Sequence, residues 1–240
     1  MNKVKILLLP FLSILPLIIG CSSVIPEVGS GYIITRSAAF NDNINRFDFS
    51  HACEASIVQS ESSYVVISID DNLMDDVDID TNGSTLSIGM EPGAHNPTEF
   101  KATVYCRSLI EASGSGASEI TITEFSPSDE EFISNLSGAS SLEAELICTD
   151  VTLDISGAST ITLTGSGDDL SLDCSGASEV NMKQFSVDDV EIELSGASEA
   201  NINAEGTISG SVSGASELNY YGTATLNSLD VSGASDVTKR

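Results

Sequence analysis

Ser-Gly-Ala-Ser begins at Ser115, Ser137, Ser156, Ser175, Ser195, Ser213 and Ser232, with steps of 22, 19, 19, 20, 18 and 19 residues between copies. A tetrapeptide that returns at so steady a period marks a unit that the chain builds repeatedly. Most copies follow an apolar residue with a polar one before it, as in Asp154-Ile155, Asp173-Cys174, Glu193-Leu194 and Asp230-Val231. Polar and apolar residues alternate after the motif, as in Thr160-Ile161-Thr162-Leu163 and Glu179-Val180-Asn181-Met182. Period two on both sides means that one strand enters the motif and another leaves it. Gly supplies a conformation or a close approach that larger residues resist. Ala is expected to occupy a crowded corner.

A unit of about 19 residues cannot bury its apolar edge alone, but a stack of them can. The pattern therefore predicts an all-β fold, a right-handed single-stranded parallel β-helix (a solenoid) with coils of that length. Equivalent residues would lie about 4.8 Å apart, and the repeats would form a rod of roughly 29 Å. Columns of Ser hydroxyls would exchange hydrogen bonds along the axis. A sandwich of antiparallel hairpins explains the short strands but not the motif in every turn.

The chain before the repeats divides by composition. Lys3 and Lys5 precede an apolar stretch from Ile6 to Gly20, interrupted by Pro10 and Pro16 and too short to be a convincing membrane span. Ile18-Ile19-Gly20-Cys21 resembles a bacterial lipobox. The expected organisation is an export signal at 1–20, a lipidated tether at 21–30 beginning with Cys21, strand-rich coils at 31–112 and the repeat β-helix at 113–240. Within 31–112, strands are expected near Tyr64 to Ile69 and Phe100 to Leu109, with a loop from Met90 to Pro97. Two alternating runs flank Asn82-Gly83 and predict a hairpin. Asp76, Asp78 and Asp80 have the spacing that opens an EF-hand loop, but Thr81 and Ser87 stand where its Gly and Glu belong. They read as the exposed face of a strand with Val77 and Ile79 buried.

Charge and reactive residues narrow the chemistry. There are 36 acidic and 9 basic residues, a net charge of −27. Such a surface repels nucleic acid and leaves cations, basic proteins or neutral glycans as partners. Cys53, Cys106, Cys148 and Cys174 show no zinc-binding spacing. Cys174 fills the apolar slot before its motif and should behave as a small buried hydrophobe. A Cys53–Cys106 bridge stays open, whereas Cys148 and Cys174 fall on different parts of the coil. There is no G-x-S-x-G elbow, and His51 and His95 have no obvious partners.

The column after the motif reads Glu119, Ser141, Thr160, Glu179, Glu199, Glu217, Asp236. Stacked charges there repel by roughly 0.9 kcal/mol per pair even at water's dielectric. Glu179, Glu199, Glu217 and Asp236 are therefore either a solvated acidic face or a ladder for weak Ca2+ binding; no other cofactor is expected. Asn181, Asn201 and Asn219 beside them would form an amide ladder. Lys239 and Arg240 would guard the open sheet edge.

The Ser-Gly-Ala-Ser blocks follow Ile57-Val58-Gln59-Ser60, Val65-Val66-Ile67, Asp71-Asn72-Leu73 and Gly83-Ser84-Thr85-Leu86-Ser87-Ile88. In this combination, residues 29–240 resemble the putative auto-transporter adhesin, head GIN domain family. The resemblance implies a β-helix-like fold, a Bacteroidetes-type envelope lipoprotein and no catalytic residues to carry over. Ser22-Ser23-Val24 is not the acidic run of a surface-export signal, so the periplasmic face of the outer membrane is the expected location. The expected function is a non-enzymatic, adhesin-like scaffold, membrane-anchored through Cys21, that presents acidic and polar ladders to an envelope protein or glycan. The alternatives are a glycan-active β-helix lyase or hydrolase, and a structural solenoid that binds divalent cations weakly.

Overall fold

Each repeat contributes one strand to each of two long sheets. The computed structural model describes residues 26–125 and 130–240; the export signal and Cys21 lie outside the described residues. Strands Glu111–Gly114, Phe132–Leu136, Val151–Ile155, Leu170–Cys174, Val190–Leu194, Thr207–Val212 and Thr225–Val231 enter successive motifs and lie in one sheet. Strands Glu119–Phe125, Ser141–Ile147, Thr160–Ser166, Glu179–Val187, Glu199–Ala204, Glu217–Tyr221 and Asp236–Lys239 leave them and lie in the other. Successive strands run parallel with equivalent residues paired, so that Ile155, Cys174 and Leu194 form one column. The result is a β-solenoid. Its interior is a continuous core fed by the alternation: Leu153, Ile155, Ile161 and Leu163 from one coil are all buried.

The motif is the corner between the sheets. Its Gly residues hold φ between 76° and 81°, the left-handed region. A Cβ on Gly157, Gly176, Gly196 or Gly214 would stand 2.4 Å from the carbonyl oxygen of the preceding Gly in the stack. Conformation and close approach thus exclude a side chain together. The Ala N–H donates to that same oxygen, as in Ala158 to Gly138, Ala177 to Gly157 and Ala197 to Gly176, at 2.7 to 2.8 Å. The Ala side chain is exposed rather than crowded; the packed position is the final Ser. Its hydroxyl bonds within the turn, not along the axis: Ser159, Ser178 and Ser198 donate to the carbonyls of Ser156, Ser175 and Ser195 at 2.8 to 2.9 Å. These bonds satisfy buried hydroxyls that would otherwise cost about 1–3 kcal/mol each.

Departures from the 19-residue step are absorbed away from the corner. The 20-residue step after Ser175 carries an irregular register between Thr162 and Thr164 against Asn181 and Gln184, which is one extra residue bulged outward.

The N-terminal end is built differently. Arg46–Phe49 and Glu54–Gln59 form a further parallel coil beside Glu111–Gly114 and Glu119–Phe125. Thr85–Met90 and Phe100–Cys106 form another beyond it. The outermost strands reverse: Ile33–Ala39 and Tyr64–Asp70 run antiparallel in one sheet, and Val77–Asn82 pairs antiparallel with Thr85–Met90 in the other. That last pair is the expected hairpin, with Gly83 at φ 63°. Because Val77–Asn82 is an edge strand, Val77 is only half-buried and Ile79 is 38% exposed, contrary to the expected burial.

The four described cysteines are free and buried. Cys53 immediately precedes Glu54, which pairs with Lys101, whereas Cys106 ends that strand opposite Gln59. Six residues of strand separate them by roughly 20 Å, far beyond the reach of a disulfide. Burial pushes the Cys53, Cys106 and Cys148 thiols up to about 12, which leaves them unreactive. Cys174 is fully buried in its apolar slot. Lys239 ends Asp236–Lys239, the edge strand of its sheet, and Arg240 follows it. Lys239 reaches the Ala224 carbonyl and lies over the Tyr220 ring, and Arg240 donates to Asn219 Oδ1.

One buried carboxylate ties the N-terminal end together. Asp70 accepts the N–H groups of Gly31 and Thr98 and the Thr98 hydroxyl, each at 2.7 Å. Burial pushes its carboxyl up, but these bonds and the Glu99 N–H outweigh burial and hold it below the usual carboxylate range. Its stabilising effect is therefore complete above the ordinary carboxylate pKa of about 3.9 and is lost as pH falls through the lower folded value. Asp70→Asn should flatten the acid side of the stability–pH curve and lower stability by roughly 1–3 kcal/mol at neutral pH, read by denaturant titration across pH. Gly176→Ala should cost at least ~2 kcal/mol, while Ala177→Ser on the exposed corner should stay within about 0.5 kcal/mol. Equal midpoints for these two variants would contradict the assignment of the corner.

Candidate functional site

The regular corners end at the N-terminal end, and a cleft begins there. In the coil formed by Arg46–Phe49 and Glu54–Gln59, Ser50-His51-Ala52-Cys53 takes the place of Ser-Gly-Ala-Ser. Ser115 N–H donates to Phe49 O and Glu119 N–H to Cys53 O, as between ordinary corners. The middle of the corner differs. His51 and Ala52 both hold left-handed φ, 61° and 57°, without being glycine. A Cβ on Gly116 would stand 3.5 Å from the His51 nitrogen, not pressed onto a carbonyl as at the later corners. Non-glycine residues in this region store roughly 1–3 kcal/mol of strain each.

In the next coil the corner is replaced by a longer excursion from Glu91 to Glu99. With the strained corner it encloses a cleft of about 730 Å3, lined in part by His51, Ala52, Glu54, Thr98, Lys101 and Ala117. Ser50 Oγ lies 2.9 Å from His51 Nδ1, and the Met90 N–H also points to that nitrogen at 3.4 Å. Gly89 makes room for this arrangement, since a Cβ there would meet Ser50 Oγ at 2.3 Å. Ser50 thus serves to hold the ring, and among the described residues no carboxylate hydrogen-bonds it. Lys101 Nζ stands 3.2 Å from Glu54 and 3.9 Å from Glu99. The hydrogen bond to Glu54, then the charges of Glu54 and Glu99, hold the ammonium above the usual lysine range. The ammonium is thus within ion-pair distance of both carboxylates of the cleft.

The ladder residues lie where the spacing predicted. Glu179, Glu199, Glu217 and Asp236 pair in register on consecutive coils, as do Asn181, Asn201 and Asn219. The amides turn toward the acids: Asn201 and Asn219 donate to Glu199 and Glu217 at 2.8 Å. Thr238 donates to Asp236, and Arg240 lies 3.5 Å from Glu217. No three of the four carboxylates bring oxygens within 4.8 Å of one another.

The sequence reading missed the cleft, because its residues come from three separated stretches. One trace was present: Ser50 and Ala52 match the first and third positions of the motif. His95 does have partners, since its ring reaches the Glu91 carbonyl and approaches Asp76.

Comparison with solved structures finds the same fold. A putative adhesin from Bacteroides fragilis superposes with a TM-score of 0.79 at 18% identity, over 89% of this chain and 100% of that one. A putative lipid binding protein from Parabacteroides distasonis gives 0.73 at 18% identity, over 90% and 99% of the two chains. A putative adhesin from Parabacteroides merdae gives 0.64 at 19% identity, over 89% and 98%. No curated protein matches. The family model matches residues 45–224, from the strained coil through the sixth Ser-Gly-Ala-Ser copy. The chain belongs to the putative auto-transporter adhesin, head GIN domain family.

Proposed function

We propose that this protein is a non-enzymatic, adhesin-like lipoprotein of the bacterial outer membrane, and that it binds a neutral glycan chain in the cleft at its N-terminal end. The observation that carries this reading is a coincidence of place. The strained corner at His51 and Ala52, the end of the regular corner ladder and a cleft of about 730 Å3 all occur together. Strain of this kind persists where the surrounding structure enforces it, and it clusters at ligand sites. The lining offers hydroxyl, amide, imidazole and carboxylate groups around one Lys, which suits a ligand rich in hydroxyls and without net charge. The polar ladders of the repeats hold the cleft on a rigid rod. Cys21 would carry the lipid, and the residues between it and the strand Glu27–Val28 would link it to the rod on the periplasmic side.

A catalytic reading finds less support. The buried thiols are too basic to act as nucleophiles, and Lys101 is within ion-pair distance of both carboxylates of the cleft.

His51→Gly should remove strain and raise stability by about 1 kcal/mol, while weakening binding on a glycan array at least tenfold. Retained glycan binding in that variant would exclude the cleft, and capture of an envelope protein without any glycan would redirect the ligand class. Turnover of any polysaccharide would overturn the non-enzymatic reading. Cys21→Ala should move the protein from the membrane fraction to the soluble fraction of the cell; unchanged fractionation would contradict lipid anchoring.

A further inference from the structure

At the wall of the cleft that His95 helps to line, three donors from separate parts of the chain converge. Glu27 lies on a short strand, Glu27–Val28, that pairs in parallel with His95–Asn96. Asp76 ends a single 3-10 turn, Met74–Asp76. One ligand atom each from Glu27, Asp76 and His95 fall within 4.8 Å of one another, the one such group among the described residues.

The state of the His95 ring turns this cluster into a site. Its Nε2 lies 3.2 Å from the Glu91 carbonyl oxygen, an acceptor, so Nε2 carries the proton and donates. Its Nδ1 is buried and has no hydrogen-bond partner. The nearest Asp76 oxygen is 3.9 Å away, beyond hydrogen-bond range. In the neutral ring, Nδ1 then carries a lone pair 3.9 Å from an Asp76 oxygen, an arrangement that is repulsive unless a cation stands between them. Metal-ligating histidines commonly bind through one nitrogen while the other donates to a backbone carbonyl. The surroundings are arranged around this ring. A Cβ on Gly93 would stand 2.5 Å from His95 Nε2. The Glu91 N–H donates to the Asp76 carbonyl at 2.8 Å, so Glu91 fixes both the ring and the Asp76 backbone.

We propose that Glu27, Asp76 and His95 bind a divalent first-row transition metal ion, with Zn2+ as the representative ion. One imidazole nitrogen and two carboxylates form a donor set such ions accept, and water would complete a tetrahedral shell. The ion would staple Glu27–Val28, within the stretch expected as the tether, to the excursion from Glu91 to Glu99. This site is separate from the acidic ladder.

Calorimetric titration of the full chain with Zn2+ tests the proposal. One ion should bind per chain and raise the melting temperature. Glu27→Gln and His95→Gln should each weaken binding at least about tenfold, and His51→Gln, in the cleft but outside the donor set, should not. Glu27 lies on an exposed two-residue strand, so its replacement leaves the core intact. Absence of Zn2+ binding, or binding unchanged in both donor variants, would overturn the proposal. So would nitrogen NMR showing His95 Nδ1 protonated both before and after Zn2+ is added, which would make the contact an imidazolium facing Asp76.

Discussion

From Ala139 onward, the hydrogen bond from each corner Ala N–H to the Gly carbonyl of the preceding coil is the interaction on which the stack depends. It runs through one of the two turns of the coil that lie outside the paired strands. Flanking bonds, such as Ser175 N–H to Ile155 O and Glu179 N–H to Ser159 O, join it to the sheets without a break. Backbone groups at a sharp turn usually point to solvent or to side chains. Here they point along the axis, so the whole perimeter on this side is one ladder. The geometry works only if Gly adopts positive φ and carries no Cβ, and this is why Gly stands in every copy of the motif.

From that constraint the rest of the rod follows. A corner fixed in angle sets the directions of the strands before and after it. Alternation then sends every second side chain into the core, where a 19-residue coil has room for a few aliphatic groups and little else. Insertions must be accommodated elsewhere, as in the bulge near Met182 and Lys183. The charged residues fall outside by the same alternation, and stacking places like charges on neighbouring coils. The Asn column offsets this locally, because Asn201 and Asn219 donate to Glu199 and Glu217, the acids two residues before them. The rod is thus regular along its repeats, and the departures from its corner sequence gather at the N-terminal end.

The legibility of the sequence divides along the same line. Period-two alternation around a repeated tetrapeptide is enough to predict parallel strands, coil length and the register of Glu179, Glu199, Glu217 and Asp236, since in a solenoid sequence spacing becomes spatial stacking. The finer corner chemistry was not legible. Ala leaves the same one-residue trace whether crowded or exposed, and a Ser hydroxyl does not reveal which carbonyl it will choose. The N-terminal end was legible only in pieces. The Asn82-Gly83 hairpin is local and was readable. The cleft joins residues near 51, 95 and 117, and the Glu27–Asp76–His95 cluster joins three segments through antiparallel returns that no periodic signal announces. Val77 and Ile79 show the same limit, for alternation cannot tell an edge strand from an inner one.

The corner ladder can be measured directly by hydrogen–deuterium exchange of individual amides. Ala158, Ala177, Ala197 and Ala215 have exposed side chains in a turn, where amides ordinarily exchange quickly. Their N–H groups should instead exchange as slowly as those of neighbouring strand residues such as Ile161 and Val180. Rapid, loop-like exchange at these four positions, with the strands still protected, would show that the corners do not hold the coils together.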